Sequence, residues 1–196
     1  MEKHGSQDKY WAEHIYPQYE IYSRGQADWV FCVDADEFIY HSRLLNELER
    51  YKRHSIVKIL FCLGFMMLSD TFPVTDGQIY DEIKMGIRDR WADKSIIFSP
   101  DIHIRYKPGR HGLLDYPGEE VRKYKTSIRL LHYRYLGKEY FTQRDAKNIE
   151  RCNLADGGDK IYSPDMKRNL PDTTTGPFFP WLENYKHLAE DCINYG

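Results

Sequence analysis

Ala27-Asp28-Trp29-Val30-Phe31-Cys32-Val33-Asp34-Ala35-Asp36-Glu37-Phe38-Ile39-Tyr40-His41 is the stretch on which the fold turns. Trp29–Val33 is a short unbroken apolar run rich in β-formers. It reads as a strand buried on both faces, as in a parallel or mixed sheet. It ends in an acidic cluster, Asp34-Ala35-Asp36-Glu37. Ligands of open α/β sheets bind beyond the carboxyl ends of the strands, where these carboxylates would lie. Residues two apart in extended chain share a face, so Asp34 and Asp36 are expected to point into one site. Two neighbouring anions are costly without a cation between them. A hard divalent ion, Mn2+ or Mg2+, fits, with positions left open for diphosphate oxygens. The competing reading is that the cluster caps the following helix, but Ser42 is expected to supply that cap.

Outward from this stretch, helix and strand alternate. Toward the N-terminus, residues 1–9 are polar and read as frayed. Trp11, Ile15, Tyr19 and Tyr22 fit one helical face, with a start or kink at Pro17 and a stop at Gly25. Toward the C-terminus, Leu44, Leu45 and Leu48 form the stripe of a helix whose last turn carries Arg50, Lys52, Arg53 and His54. A second buried strand runs from Ile56 to about Leu63. Residues 69–92, with Pro73, Gly77 and Gly86, read as a long functional loop region. Strands are expected at Ser95–Phe98, Ile102–Tyr106 and Ser127–Tyr135, then a helix over Lys138–Cys152. The segment 156–180 reads as loop, with a helical turn or two from Trp181. The whole is an α/β pattern and one domain, 1–196, with 156–196 a loop-rich extension.

The composition agrees. A chain of 196 residues with 41% hydrophobic and 30% charged residues buries a core and is globular rather than disordered. A net charge of −2, with scattered basic residues, argues against nucleic acid as a partner. The 16 tyrosines suit flat amphipathic ligands such as sugars and nucleobases, though composition alone favours a Tyr-rich core and rim. The four cysteines (Cys32, Cys62, Cys152, Cys192) lack C-x-x-C spacing, and a reduced, cytoplasmic setting is expected. No signal peptide opens the chain. Ile56–Leu68, interrupted by Lys58, is too short to span a bilayer, which leaves peripheral membrane contact open.

Two enzyme classes place Asp-x-Asp after such a strand. Phosphatases of the haloacid-dehalogenase type follow the pair with Thr or Val and need a later Gly-Asp-x-x-x-Asp. Here Glu37 and Phe38 follow, and Gly158-Asp159 has its next Asp only at Asp165. The chain instead resembles bacterial and viral family 2-like GT-A glycosyltransferases. The Ala27–His41 segment is similar to their Asp-x-Asp strand. Gly64-Phe65-Met66 resembles their Gly-Tyr-x-Met, and Lys94-Ser95-Ile96-Ile97-Phe98-Ser99-Pro100 their Lys-x-x-x-Phe-x-Pro. Pro108-Gly109-Arg110-His111 resembles Gly-x-His, and Leu130–Gly137 with Arg144 resembles Leu-His-Tyr-Lys-Tyr-Leu-Gly. These segments run in the family's order from about residue 27 to 151.

The resemblance implies a GT-A-like mixed sheet flanked by helices. It implies sugar transfer from a nucleotide-sugar donor to a glycan or lipid-linked acceptor, dependent on Mn2+ or Mg2+. A non-catalytic sugar- or metal-binding module derived from such an enzyme is the alternative. Family members begin with a β-α-β half before the Asp-x-Asp strand, so this chain is expected to lack it. The Trp29–Val33 strand should then be short of a neighbour, or one sheet face short of a helix, with self-association or poor nucleotide binding as the consequence.

Asp34, Asp36 and His132 are the expected metal ligands, His132 because a late His completes the shell in several GT-A families. The alternative for His132 is a hydrogen-bonded core or rim residue, on the face shared by Ile128 and Leu130. His111 is a weaker candidate. Asp34, Arg134, Lys138 and Arg144 are expected at the donor diphosphate, since cations stabilise charge on phosphate oxygens. The alternative for Lys138 and Arg144 is a solvated helix face. An inverting enzyme needs a carboxylate base. Asp70 at a strand end is the first choice, ahead of Asp76, Asp81 and Glu82 in the loop; as the alternative, all four are solvated charges.

Overall fold

The structure is a computed structural model. It describes residues 10–74, 76–107, 110, 112–115, 122–137, 139–141, 143–144, 147 and 186–193. The architecture is mixed α/β, a seven-stranded sheet with a few short helices.

Its spine is β3 (Val57–Ser69), whose only charged residue is Lys58. The first half of β3 pairs antiparallel with β5 (Lys94–Phe98), and β5 with β1 (Val30–Phe31). The second half pairs antiparallel with β4 (Met85–Arg88), and β4 with β9 (Glu190–Asp191). Along its other edge β3 runs parallel to β8 (Arg122–Leu136), which pairs antiparallel with β2 (Glu37–Tyr40). β6 (Arg105–Tyr106) and β7 (Leu113–Asp115) form a separate two-stranded ribbon.

The alternation read along β8 holds. Ile128 and Leu130 face one core with Leu60, Cys62, Ile96 and Ile97. Leu131 and Tyr133 face the other with Phe65 and Met67. The first core is covered by α1 (Leu44–Lys52) through Leu44, Leu48 and Tyr51, at i, i+4 and i+7. Leu45 lies about 100° off that stripe and is 76% exposed, so it does not belong to it as expected. Ser42 does not cap α1 either. Arg43 occupies the cap position with no side-chain hydrogen bond, and its backbone N–H donates to His41 Nδ1.

The N-terminal helical segment bends as Pro17 predicts. It passes from a wide turn (Trp11–Ile15) through a 3-10 turn (Tyr16–Gln18) into a short α-helix (Tyr19–Tyr22). Gly25, at φ 73°, follows its end. Tyr19 is its anchor: the hydroxyl donates to Ile102 O at 3.0 Å and accepts from Ile104 N–H at 2.9 Å. Burial pushes the Tyr19 phenol up to about 12.

Three further expectations change. β1 is not buried on both faces. It lies at the end of the sheet, with Phe31 39% exposed, and β5 is its one partner among the described strands. Residues 69–92 are not all loop: a short helix (Ile79–Glu82), β4 and a 3-10 turn (Arg90–Ala92) lie there. Gly86 belongs to a strand because a Cβ there would meet Met67 Sδ at 2.7 Å and Cys192 Sγ at 2.9 Å. Of Ile102–Tyr106, only Arg105–Tyr106 is strand.

The helix expected over 138–152 is helical at 139–141, 143, 144 and 147, and the rest lies outside the described residues. So do 156–180 and the turn expected at Trp181, although Lys186–Leu188 is a 3-10 turn. Among the described residues no helix is long and apolar enough to cross a membrane.

Candidate functional site

The chain between β1 and β2 must pass from one side of β3 to the other, because β1 lies beyond β5 and β2 beyond β8. It does so through a tight turn in which Glu37 N–H donates to Asp34 O at 3.0 Å. The regular strand stops at Phe31, so the alternation expected to put Asp34 and Asp36 on one face does not apply. Each carboxylate instead has its own cations. Asp34 pairs with the Arg110 guanidinium, and Lys94 Nζ lies 3.7 Å away. Asp36 Oδ2 accepts from Arg144 Nη2 at 2.6 Å, and His132 Nε2 lies 3.5 Å from the same oxygen.

β2 pairs Glu37 with His132 on β8, and Tyr133 N–H donates to Asp36 O at 2.8 Å. That ladder is what fixes Asp36 against His132. Burial works against the Asp36 charge, yet the hydrogen bonds from His132 and Arg144 hold its carboxyl well below the usual range.

Beneath the turn lies a charge network that inspection of the sequence missed. The Glu37 side chain is fully buried. It accepts from Lys94 Nζ at 2.5 Å, from Asp34 N–H at 3.0 Å and from Arg110 Nη2 at 3.3 Å. Lys94 is 4% exposed and Arg110 2%. Burial alone would raise the Glu37 pKa, but Lys94 first, then the Asp34 amide and Arg110, hold it below its ordinary value. Burial likewise opposes the Arg110 charge, and Asp34 above all keeps it above its usual range. Arg110 sits at φ 58°, unusual for a residue with a side chain. Its backbone N–H donates to Lys107 O at 2.9 Å. One faint signal existed: Lys94 stands just ahead of the apolar run Ile96-Ile97-Phe98, where a buried lysine needs an acid.

Beside the turn is a cavity of about 540 Å³, between β1 with the residues that follow it and the N-terminal helical segment. Tyr16, Tyr19, Val30 and Phe98 contribute its apolar and aromatic wall, and Asp34 and Arg110 its charged end.

Arg134 lies two residues beyond His132 on β8, its guanidinium carbon 5.7 Å from the centre of the Tyr135 ring. Asp70, just past β3, pairs with Lys186 and is not brought into the cluster by any described contact. Lys138 and His111 lie outside the described residues. Of the expected metal ligands, Asp36 and His132 come together while Asp34 is taken by Arg110 and Lys94. Among the described residues no group of three His, Cys, Asp or Glu side chains is arranged to hold a metal ion. Comparison with protein-family models, curated proteins and solved structures returned no match.

Proposed function

We propose that the chain is a GT-A-like, metal-dependent glycosyltransferase that moves a sugar from a nucleotide-sugar donor to a glycan or lipid-linked acceptor. The observation that carries the reading is the pair Asp36–His132. Adjacent ligands of an octahedral ion at about 2.1 Å stand about 3 Å apart, so a 3.5 Å pair needs only a small closing movement. Both side chains are partly open to solvent, at 23% and 14%. Mn2+ or Mg2+ held by two protein ligands would take its other positions from water and the donor diphosphate, as hard ions at phosphate sites commonly do. The bound ion would supply Lewis-acid stabilisation of the leaving diphosphate.

The chain's own residues would do the rest. Arg144 stands at the pair to grip phosphate oxygens. Glu37, Lys94 and Arg110 hold the turn that aims Asp36. The aromatic wall beside β1 offers a flat ligand such as a nucleobase a stacking surface. Asp70 stays the proposed proton acceptor.

Calorimetry with Mn2+ and UDP or GDP tests the reading. The wild type should bind nucleotide only with the metal, and Asp36→Ala should lose metal-dependent binding while still unfolding in one cooperative thermal transition. Unchanged metal-dependent affinity in Asp36→Ala would remove the cluster as the site. Metal-dependent binding without nucleoside diphosphate release from any donor would instead mark a non-catalytic binding module.

A further inference from the structure

We propose that Arg144 and the divalent cation exchange places on Asp36, so that Arg144 holds the site closed to metal until a diphosphate arrives to receive it. The inference rests on the reading of Asp36 and His132 as metal ligands. Arg144 Nη2 and His132 Nε2 converge on one oxygen, Asp36 Oδ2, at 2.6 Å and 3.5 Å. An ion bridging that oxygen and Nε2 would stand about 4 Å from the guanidinium nitrogen even if each used a separate lone pair of Oδ2. A dication and a guanidinium at that separation repel strongly in a partly buried site. The three side chains are 14% to 32% exposed, so water screens this repulsion only in part. Arg144 and the metal therefore do not share Asp36.

Before metal binds, Arg144 supplies the counter-charge of Asp36. When metal takes the carboxylate, Arg144 is released beside a site carrying excess positive charge. A diphosphate answers both needs, because its oxygens coordinate the ion and accept the guanidinium fork. Metal and diphosphate then bind cooperatively, and by linkage each raises the affinity of the other by the same factor. Arg144 sits on a helical segment, while Asp36 and His132 are tied into the β2–β8 ladder. Arg144 is therefore the member of the trio free to swing.

The experiment is Mn2+ titration of the full chain, read by calorimetry and by the Mn2+ electron paramagnetic resonance signal, with and without UDP. Arg144→Gln should bind Mn2+ alone roughly tenfold more tightly than wild type, since a charged hydrogen bond no longer competes. The same variant should bind UDP in saturating Mn2+ roughly tenfold more weakly. Arg144→Lys, keeping the charge without the fork, should keep near-wild-type Mn2+ affinity and lose part of the UDP affinity. It carries the test if the glutamine variant folds poorly. Equal or weaker Mn2+ binding by Arg144→Gln, in a wild type that does bind Mn2+, would overturn the exchange and leave the metal site standing. A wild type that binds no Mn2+ even with UDP would overturn both.

Discussion

Replacing Glu37 by Gln should destabilise the protein far more than replacing Lys94 by Met, although the two residues are partners in one ion pair. Glu37 balances two cations, Lys94 and Arg110, that are 4% and 2% exposed. Gln is the same size but uncharged, and its amide would turn a donor toward one of those cations. What remains for both is Asp34, which is half exposed. Removing one partner of a buried pair costs about 3–5 kcal/mol, because a buried charge is left uncompensated. Lys94→Met, in contrast, leaves Glu37 with Arg110 at 3.3 Å and the Asp34 amide at 3.0 Å. Losing one charged hydrogen bond of three should cost about 1–3 kcal/mol. In a chain of this size each kcal/mol moves the melting temperature by about 2–4 °C. Glu37→Gln should therefore melt about 6–20 °C below wild type, a large part of a total stability of about 5–15 kcal/mol. Urea unfolding and thermal melts of both variants measure the difference. The reasoning fails if Glu37→Gln lies within 1 kcal/mol of wild type, or if Lys94→Met proves the more damaging change.

Gly64→Ala should cost at least about 1–3 kcal/mol, because the new Cβ would fall 2.3 Å from the Ala92 carbonyl carbon and backbone cannot retreat cheaply. A urea midpoint unchanged from wild type would contradict that packing. Asp36 and Glu37 both have depressed folded-state pKa values, so the unfolded chain binds more protons in acid. Their contribution is present above the unfolded carboxylate range near about pH 4 and disappears as pH falls through the folded values. Urea midpoints measured from pH 7 to pH 3 should drop below about pH 4, and Asp36→Asn should show a shallower drop. Asp70→Asn should leave Mn2+-dependent UDP binding intact, since Asp70 pairs with Lys186 apart from the Asp36 cluster, while abolishing sugar transfer. Full transfer by that variant would take Asp70 out of the mechanism.

Much of the scaffold could be read from the chain because it rests on local periodicity. The two faces of β8 follow from period-two alternation, and the bend at Pro17 from its ring. The acidic cluster was equally visible, because four consecutive residues hold three carboxylates. Gly86 misled for a physical reason: local sequence cannot separate a glycine needed for a turn from one needed for close strand packing. The same limit governed the site. Asp34 and Asp36 share a face only if the chain stays extended, and the crossing from the β5 side of β3 to the β8 side forces a turn instead.

Which cation meets which carboxylate was settled by the tertiary structure. Lys94 lies 57 residues from Glu37, Arg110 73 residues from it, and Arg144 108 residues from Asp36. Ion pairs act over a few ångströms and carry no signature of chain separation. The pairing of β5 with β3, and of β2 with β8, brings Lys94 and His132 to the turn, while Arg110 arrives from between β6 and β7 and Arg144 from the helical segment after β8.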